Sequence, residues 1–421
     1  MYQKTTLKNG LRLVTSTMPH ARSVSIGFFI GVGSRHELAP VAGVSHVIEH
    51  MCFKGTGRRP TPSQISAAIE GVGGMLNAGT DKELTVYWSK VAQPHFLIAL
   101  DVLVDMLLNS RFDPGELEKE RQVIIEEIRM TKDSPAQQVS LLIDELLWPD
   151  HPLGVDTAGT LETVNSLSRA QILDFMQGAY SPSNTVVAIA GSVDHENALD
   201  VLEQAIGNWT GPTKRPPYAP FVEDKNPRLK IENRDTEQAH LCLALPGLPL
   251  TDPRRFAFDL LNVVLGEGMS SRLFTEIREN RGLAYNIYSY IDHFLDCGAL
   301  TVAAGVEPRN LKVAVTAIVE QFARLKSDLV GEAELNKAKE LSKGRVLLRM
   351  EDSRNVSGWV GGQEVLTGKV FTVDDAVAII DRITAEELRT LALDLFAGDR
   401  MRLAVVGPLS KDEPLGDLLK V

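Results

Sequence analysis

The sequence predicts an α+β fold built from two homologous domains, each a mixed sheet with helices. Predicted strands and helices come in runs rather than in regular alternation, which favours α+β over a doubly wound parallel sheet. A proline-rich stretch divides the 421 residues into two halves of similar length. We therefore expect a domain over residues 1–210, a linker over residues 211–233, and a second domain over residues 234–421.

The individual elements follow from turn residues and from hydrophobic periodicity. An Asn-Gly pair between apolar residues indicates a hairpin. Short apolar runs indicate strands, and apolar residues three and four apart indicate amphipathic helices. The elements predicted in the first half are a hairpin around Asn9-Gly10, strands over residues 24–32 and 84–88, and helices over residues 98–108, 116–130 and 170–177.

The two halves end alike, which indicates an internal duplication. In the first half Ser168 starts a helix that leads to a strand ending at Gly191. In the second half Thr384 starts a helix that leads to a strand ending at Gly407. Ser and Thr are good helix N-caps, and both pairs of positions lie 216 residues apart. The shared spacing predicts that the second half is a copy of the first.

Composition excludes several classes of protein. The net charge is −11 and no basic block stands out, so we expect no nucleic-acid partner. No apolar run has the length of a membrane span, so we expect no membrane insertion, and the N-terminus lacks the apolar core of a signal peptide. Three cysteines, at 52, 242 and 297, are too few for a disulfide framework. A cytoplasmic protein is the resulting expectation.

The most informative motif is His-x-x-Glu-His, formed by His46, Glu49 and His50. A helix is predicted over residues 40–55, with a proline in its first turn and a glycine at its end. Histidines four apart share one face of a helix and can hold one metal ion. Glu49 lies beside the same site and could take a proton from a metal-bound water. The motif alone is short enough to occur by chance.

A third ligand is expected from the helix predicted over residues 116–130. At about 100° per residue, Glu120 and Glu127 fall within about 20° of each other, in the middle of the apolar face. Burying carboxylates there is costly unless a metal or hydrogen-bond donors compensate. Either Glu120 or Glu127 is therefore a candidate ligand, and Glu126 faces solvent. A pairing with a structural arginine is the alternative explanation.

Residues 46–56, followed by Glu120-Arg121 and Glu127, resemble the pitrilysin-type zinc metallopeptidases, the inverzincins of peptidase family M16. Within that family the resemblance is to the branch of the mitochondrial processing peptidase and its bacterial homologues. It implies the processing-peptidase-like metallohydrolase fold and one Zn²⁺ per chain. By position, Glu127 is then a ligand, Glu120 supports the site and Glu49 is the catalytic base. The metal ligands implied are His46, His50 and Glu127.

Further segments extend the resemblance over the chain. Residues 73–80 are similar to a Gly-Gly-x-x-Asn-Ala segment that forms an edge strand beside the metal, which implies that Asn77 and Ala78 contact substrate. Residues 278–285 are similar to a segment whose arginine and tyrosine touch substrate, here Arg278 and Tyr285. Without the resemblance, the glycines indicate an ordinary turn, Arg278 a solvated charge and Tyr285 a core aromatic residue.

The second half lacks the histidine motif. When Leu117 is aligned with Leu335, Ala338 stands opposite Glu120 and Arg345 stands opposite Glu127. Only the first half is therefore expected to bind zinc.

The predicted function is hydrolysis of peptides or unfolded segments by a zinc endopeptidase. The alternative is a non-catalytic partner or core-type subunit of the same family, and zinc hydrolysis of a non-peptide amide is a third hypothesis. Large members of the family carry four such domains in one chain, so two copies of this chain would supply four. The resemblance therefore implies a homodimer, with a heterodimer with a related chain as the alternative.

Overall fold

The computed structural model describes residues 2–213, 216–223, 228–410 and 413–420. The strands in chain order are β1 (Gln3–Thr6), β2 (Arg12–Thr17), β3 (Ser23–Ile30), β4 (Met75–Thr80), β5 (Thr85–Ala92), β6 (Thr185–Gly191), β7 (Leu229–Asn233), β8 (Ala239–Pro246), β9 (Ala284–His293), β10 (Gly298–Val306) and β11 (Arg402–Gly407).

Helices connect and cover these strands. The α-helices in chain order are α1 (Val44–Cys52), α2 (Pro62–Glu70), α3 (Phe96–Asn109), α4 (Pro114–Asp133), α5 (Pro135–Leu147), α6 (Leu161–Ser166), α7 (Arg169–Ala179), α8 (His195–Ile206), α9 (Arg255–Gly266), α10 (Leu311–Ser327), α11 (Glu332–Arg349), α12 (Ser353–Thr367), α13 (Val373–Arg382) and α14 (Ala385–Leu395).

The chain divides into two compact units. Unit 1 contains residues 1–129, 156–219 and 347–372. Its sheet has the strand order β1-β2-β6-β3-β5-β4, in which β2 and β6 run parallel and the other neighbours run antiparallel. Its largest core lies between one face of this sheet and helices that include α1, α3 and α4. Strand β4 is an edge strand of the sheet.

Unit 2 contains residues 130–155, 220–346 and 373–421. Its sheet has the strand order β7-β11-β8-β10-β9, with β7 and β11 parallel. This order repeats the order β2-β6-β3-β5-β4 of unit 1, including the directions of the strands. The α+β class and the duplication predicted from the sequence are confirmed by this repeated topology.

One helix of each half belongs to the unit formed mainly by the other half. Helix α5 comes from the first half and packs on β8 and β11 of unit 2. Helix α12 comes from the second half and packs on β2, β3 and β6 of unit 1, where Ser357 Oγ donates to the carbonyl of Ala188 at 2.9 Å. Each helix covers the sheet face opposite the main core of that unit, with its own apolar cluster. The units therefore differ from the predicted domains 1–210 and 234–421 in these two segments.

Most predicted elements are present within a few residues of their predicted bounds. The hairpin turns at Gly10, which has a φ of 91°. Ser168 and Thr384 both cap their helices in capping boxes, as predicted. Two boundaries were wrong. Helix α1 begins at Val44 rather than near residue 40, and strand β7 occupies the last five residues of the predicted linker 211–233. Linker residues 214–215 and 224–227 lie outside the described residues.

Candidate metal centre

Helix α1 begins at a glycine, and backbone N–H groups at its start donate hydrogen bonds to the carboxylate of Glu37. Gly43 is the N-cap, with a φ of 93°, and an added Cβ there would lie 2.5 Å from the carbonyl oxygen of Ala158. The buried Glu37 accepts hydrogen bonds from the backbone N–H groups of Gly43 at 2.6 Å and Ser45 at 2.8 Å. Helix N-termini leave such N–H groups unpaired and favour a negative charge. Glu37 therefore fixes the start of the helix that carries the histidine motif.

The two histidines of the motif face a glutamate of α4. Their Nε2 atoms lie 3.2 Å apart, and each lies 3.8 Å from Oε2 of Glu127. His46, His50 and Glu127 thus form a group with all ligand atoms within 4.8 Å of one another. Ligand atoms of a tetrahedral zinc site, at about 2.0–2.2 Å from the metal, would lie about 3.3–3.5 Å apart. The observed edges of 3.2 and 3.8 Å lie close to these distances.

The protonation of the histidines also fits a cation. Nδ1 of His50 lies 3.0 Å from Oε2 of Glu120, and an ionised carboxylate can only accept a hydrogen bond. Nδ1 of His50 therefore donates, and its Nε2 presents a lone pair toward His46. Burial, and then the neighbouring His50, lowers the pKa of His46 to about 4. His46 is thus neutral at neutral pH, the form that binds metals. The two Nε2 atoms lie 3.2 Å apart, so either the ring of His46 donates to that of His50 or a cation lies between their lone pairs.

Glu120 supports the triangle from behind. Its side chain is 8% exposed, and its second oxygen, Oε1, lies 2.7 Å from Nζ of Lys54. The imidazole N–H of His50 and the ammonium of Lys54 thus engage one oxygen each. A carboxylate behind a ligating histidine fixes the orientation and tautomer of the ring. This is the supporting position that the resemblance implied for Glu120.

Glu49 lies on the same helix and is oriented by the edge strand. Oγ1 of Thr80, the last residue of β4, donates to Oε2 of Glu49 at 2.6 Å. Burial raises the pKa of Glu49, although the hydrogen bond from Thr80 opposes the rise. The backbone of Thr80 also stabilises this carboxylate. Oε2 is therefore held by the hydroxyl of Thr80, and among the described residues no side-chain group donates to Oε1.

The expectation that both glutamates of α4 lie in an apolar stripe was wrong for Glu127. Glu120 is buried, but the side chain of Glu127 is 41% exposed. Val123 and Met130, on the same face as Glu127, are 45% and 70% exposed. The helix buries a narrower face than predicted, because Glu127 points toward the two histidines rather than into the core. Glu126 is exposed and pairs with Arg129, as expected for a solvated residue.

The residues implied to contact substrate lie in different units. Asn77 and Ala78 lie on the edge strand β4 of unit 1, where Oδ1 of Asn77 accepts from the N–H of Ala78 at 2.8 Å. Arg278 and Tyr285 lie in unit 2. Arg278 belongs to a π-helical segment, Phe274–Asn280, and its guanidinium lies 4.9 Å from the ring centroid of Tyr285. Tyr285 is 78% exposed, so its interpretation as a core aromatic residue was wrong.

Sequence reasoning missed three residues of the site. Thr80 acts through a partner 31 residues away, and Glu37 accepts from backbone N–H groups, so no side-chain spacing indicates either residue. Lys54 had a signal, because it lies four residues after His50 and therefore continues the face of the two histidines.

Among the described residues, no helix combines the length and hydropathy needed to cross a membrane.

Comparisons with known proteins agree over nearly the whole chain. The profile of the insulinase family (peptidase family M16) matches residues 12–161, and the profile of the peptidase M16 inactive domain matches residues 166–342. An uncharacterized zinc protease of Streptomyces coelicolor is 39% identical over 97% of this chain and 90% of its own length. An uncharacterized zinc protease of Bacillus subtilis is 38% identical over 97% of this chain and 98% of its own.

A solved structure has the same fold. The crystal structure of a protease from Helicobacter pylori superposes with a TM-score of 0.90 and 23% identity, covering 97% of this chain and 99% of that chain. The fold that the resemblance implied is therefore confirmed.

Proposed function

This chain belongs to peptidase family M16, and we propose that it is a zinc endopeptidase that hydrolyses peptides or unfolded segments. The observation that carries the proposal is the triangle of His46, His50 and Glu127, with one carboxylate, Glu49, beside it. Two imidazoles and a carboxylate make a three-ligand set that leaves a position open for water, the arrangement of catalytic zinc sites. One Zn²⁺ per chain is proposed, because this is the group of potential ligands found among the described residues.

Glu49 is proposed to act as the general base. When bound, zinc would polarise the scissile carbonyl and acidify a water molecule. Glu49 takes the proton of the attacking water at Oε1, since Oε2 already accepts from Thr80. It then passes the proton to the leaving amine. Burial raises the pKa of Glu49, and a base whose pKa lies nearer the working pH transfers protons more effectively in both directions.

The proposed substrate lies along β4 as an added strand. An edge strand offers unpaired backbone groups to an extended peptide. Because Thr80 ends β4 and holds Glu49, a peptide on this edge would lie beside the proposed base. This placement favours an extended main chain over a small non-peptide amide.

A non-catalytic subunit is the alternative. One observation favours it: the matched profile over residues 166–342 is described as an inactive domain. That profile covers the second half, whereas Glu49 and the ligand triangle lie in the first. The alternative therefore explains the second half but leaves the arrangement around Glu49 without a use.

The test combines metal analysis with digestion of a peptide library, on the wild type and on Glu49→Gln. Glutamine has the same shape but cannot accept the proton, so the variant should keep zinc and lose turnover by at least about 10²–10⁴-fold. Glu126→Gln is the matched control, since Glu126 is exposed and pairs with Arg129 on α4. A wild type with zinc and no peptidase activity would favour the non-catalytic subunit. Normal turnover in Glu49→Gln would contradict the assigned base.

The working unit is proposed to be a homodimer. Unit 1 carries the ligand triangle, while unit 2 carries the half-buried Arg278 and the exposed Tyr285. A two-fold arrangement would let Arg278 and Tyr285 of one copy complete the site of the other. The guanidinium of Arg278 could then donate a hydrogen bond to a substrate carbonyl, and the phenol of Tyr285 could donate one to the developing oxyanion.

Mixing two inactive variants tests this composite site. Glu49→Gln and the double variant Arg278→Ala/Tyr285→Phe are dissociated, mixed and reassociated. In a mixed dimer one site is intact and the other carries all the changes, so activity should return. If activity stays absent while mass measurements show exchanged dimers, the composite site is wrong. A fully active monomer in light scattering would contradict the dimer itself.

A further inference from the structure

Lys54 lies at the end of a short chain of charged contacts that leads to the metal triangle. It follows the last residue of α1 by two positions and lies four residues after His50. Its Nζ lies 2.7 Å from Oε1 of Glu120, and Oε2 of the same carboxylate lies 3.0 Å from Nδ1 of His50. The carboxylate thus bridges a lysine and a proposed metal ligand.

We propose that Lys54 is a positioning residue that sets the zinc affinity of the site by holding Glu120 against His50. The inference rests on the proposed function, because it requires that His50 binds zinc. Lys54 is not assigned any contact with substrate or metal. It acts through Glu120, and its effect should disappear when Glu120 can no longer carry a charge.

The burial of Glu120 makes the contact with Lys54 stronger than an ordinary surface ion pair. Exposed pairs contribute little to stability because water competes for both charges. The Glu120 side chain is 8% exposed and lies among apolar residues of α4, and Lys54 is 24% exposed. A buried carboxylate that loses one of two partners is left with uncompensated charge. It is then free to turn away from His50, and the imidazole loses the contact that fixes Nε2 toward the metal.

The local backbone holds Lys54 in place. The N–H of Lys54 donates to the carbonyl of Met51 at 3.1 Å, which closes the end of the helix. Gly55 follows with a φ of 119°, and its carbonyl accepts from the N–H of Arg111 at 3.0 Å. An added Cβ at Gly55 would lie 2.4 Å from the carbonyl oxygen of Pro60. The turn is therefore fixed on both sides, and the lysine extends toward α4 from a defined position.

The test measures zinc affinity by competition with a chelator, for the full chain and its variants. Lys54→Met keeps the length and apolar stem but removes the charge, and should bind zinc about 3- to 30-fold more weakly than the wild type. Substitution of a residue that hydrogen-bonds to a metal ligand weakens metal binding about 10–100-fold, and Lys54 is one contact further from the metal than such a residue. Lys54→Arg should restore affinity to within about threefold of the wild type. Lys119→Met is the matched control, because Lys119 pairs with Glu116 on the exposed side of α4, and it should bind like the wild type.

A double-variant cycle separates positioning from general damage to the fold. In a Glu120→Gln background, Lys54→Met should weaken zinc binding by less than about twofold, since the charged partner is gone. Full additivity of the two losses would overturn the inference. If Lys54→Met does not fold, Lys54→Gln, which keeps a polar end group, is measured in the same cycle and decides the question. Turnover at saturating zinc gives a second readout, in which KM for peptide should stay unchanged.

The outcomes distinguish this inference from the proposed function. A wild type that binds no zinc overturns both. A wild type that binds zinc, together with a Lys54→Met variant of equal affinity, overturns the role of Lys54 alone. Loss of affinity that is equal in Lys54→Met and Lys119→Met would also overturn it, because the effect would then follow net charge rather than the contact with Glu120.

Discussion

The two units share a strand order but differ at the positions that matter for metal binding. In unit 1, helix α4 presents Glu120 and Glu127 to the histidines of α1. In unit 2, the equivalent positions on α11 are Ala338, which is buried in the core, and Arg345. The guanidinium of Arg345 pairs with Glu267, the residue that follows α9. The same scaffold thus supports a candidate metal centre in one unit and a protein ion pair in the other.

Contacts with α11 also fix the loop that follows α9. Nζ of Lys337 donates to the carbonyl of Ser270 at 2.8 Å. Arg272, just past the loop, makes two hydrogen bonds to Glu334, at 2.8 and 2.9 Å. Together with the pair between Arg345 and Glu267, these contacts give three side-chain links between the loop and α11. The comparison teaches that the two units share a backbone arrangement and differ in a few side chains. In unit 1 these side chains form a candidate metal centre, whereas in unit 2 Arg345 places a positive charge at the equivalent position.

The largest expected effect is the loss of metal from unit 1. Glu127→Gln should weaken zinc binding by more than about 100-fold, because even outer partners of zinc ligands cost about 10–100-fold. Glu126→Gln, one residue away on the exposed side of α4, should bind like the wild type. Zinc affinity measured by chelator competition checks both. Equal losses in the two variants would show that the register of α4 relative to the histidines is wrong.

A smaller effect concerns the stability of the metal-binding helix. Burial raises the pKa of Glu37 to about 7, against the opposing hydrogen bonds from Ser45 and Gly43. The folded state therefore holds the carboxyl proton of Glu37 more tightly than the unfolded state does. Protonated Glu37 stabilises the fold at low pH, and this stabilisation is lost as pH rises toward 7. The shift from 4.5 to about 7 corresponds to about 3 kcal/mol.

Urea unfolding of the wild type and of Glu37→Gln between pH 5 and pH 8 measures this effect. The wild type should lose stability relative to the variant as pH rises, because glutamine does not titrate. Parallel pH profiles would contradict the linkage. Asp194→Asn is a suitable control, since Asp194 caps α8 at the surface of the same unit.

The smallest effect is expected in unit 2. Arg345→Met removes the pair with Glu267, in which both side chains are about two-fifths exposed. Exposed pairs contribute about 0.2–1 kcal/mol, so the free energy of unfolding should fall by no more than this. Zinc affinity should not change. If zinc affinity falls, the ion pair of unit 2 and the candidate metal centre of unit 1 are not independent, and the contrast between the units would have to be revised.

Helix exchange shows a limit of sequence reasoning. Helices α5 and α12 occupy equivalent places in the repeat, and each covers the sheet face of the unit formed mainly by the other half. Both present apolar faces to equivalent sheets, so amphipathicity predicts that each helix is covered but not which sheet covers it. The predicted boundary near residues 211–233 follows the order of the chain. The units follow packing, which is not constrained to follow that order.

By itself the sequence determined the fold class, most element positions and the two histidines of the triangle, while the choice of Glu127 over Glu120 came from the resemblance to family M16. The histidine pair depends on local periodicity, because histidines four apart share a helix face. Only the tertiary structure decided that Glu120 is buried while Glu127 is half exposed. It also decided that Glu37 holds the start of α1, that Thr80 holds Glu49, and that Lys54 holds Glu120. The physical reason is that the geometry of these contacts is set by how helices, strands and the turn before α1 pack together, rather than by spacing along any one of them.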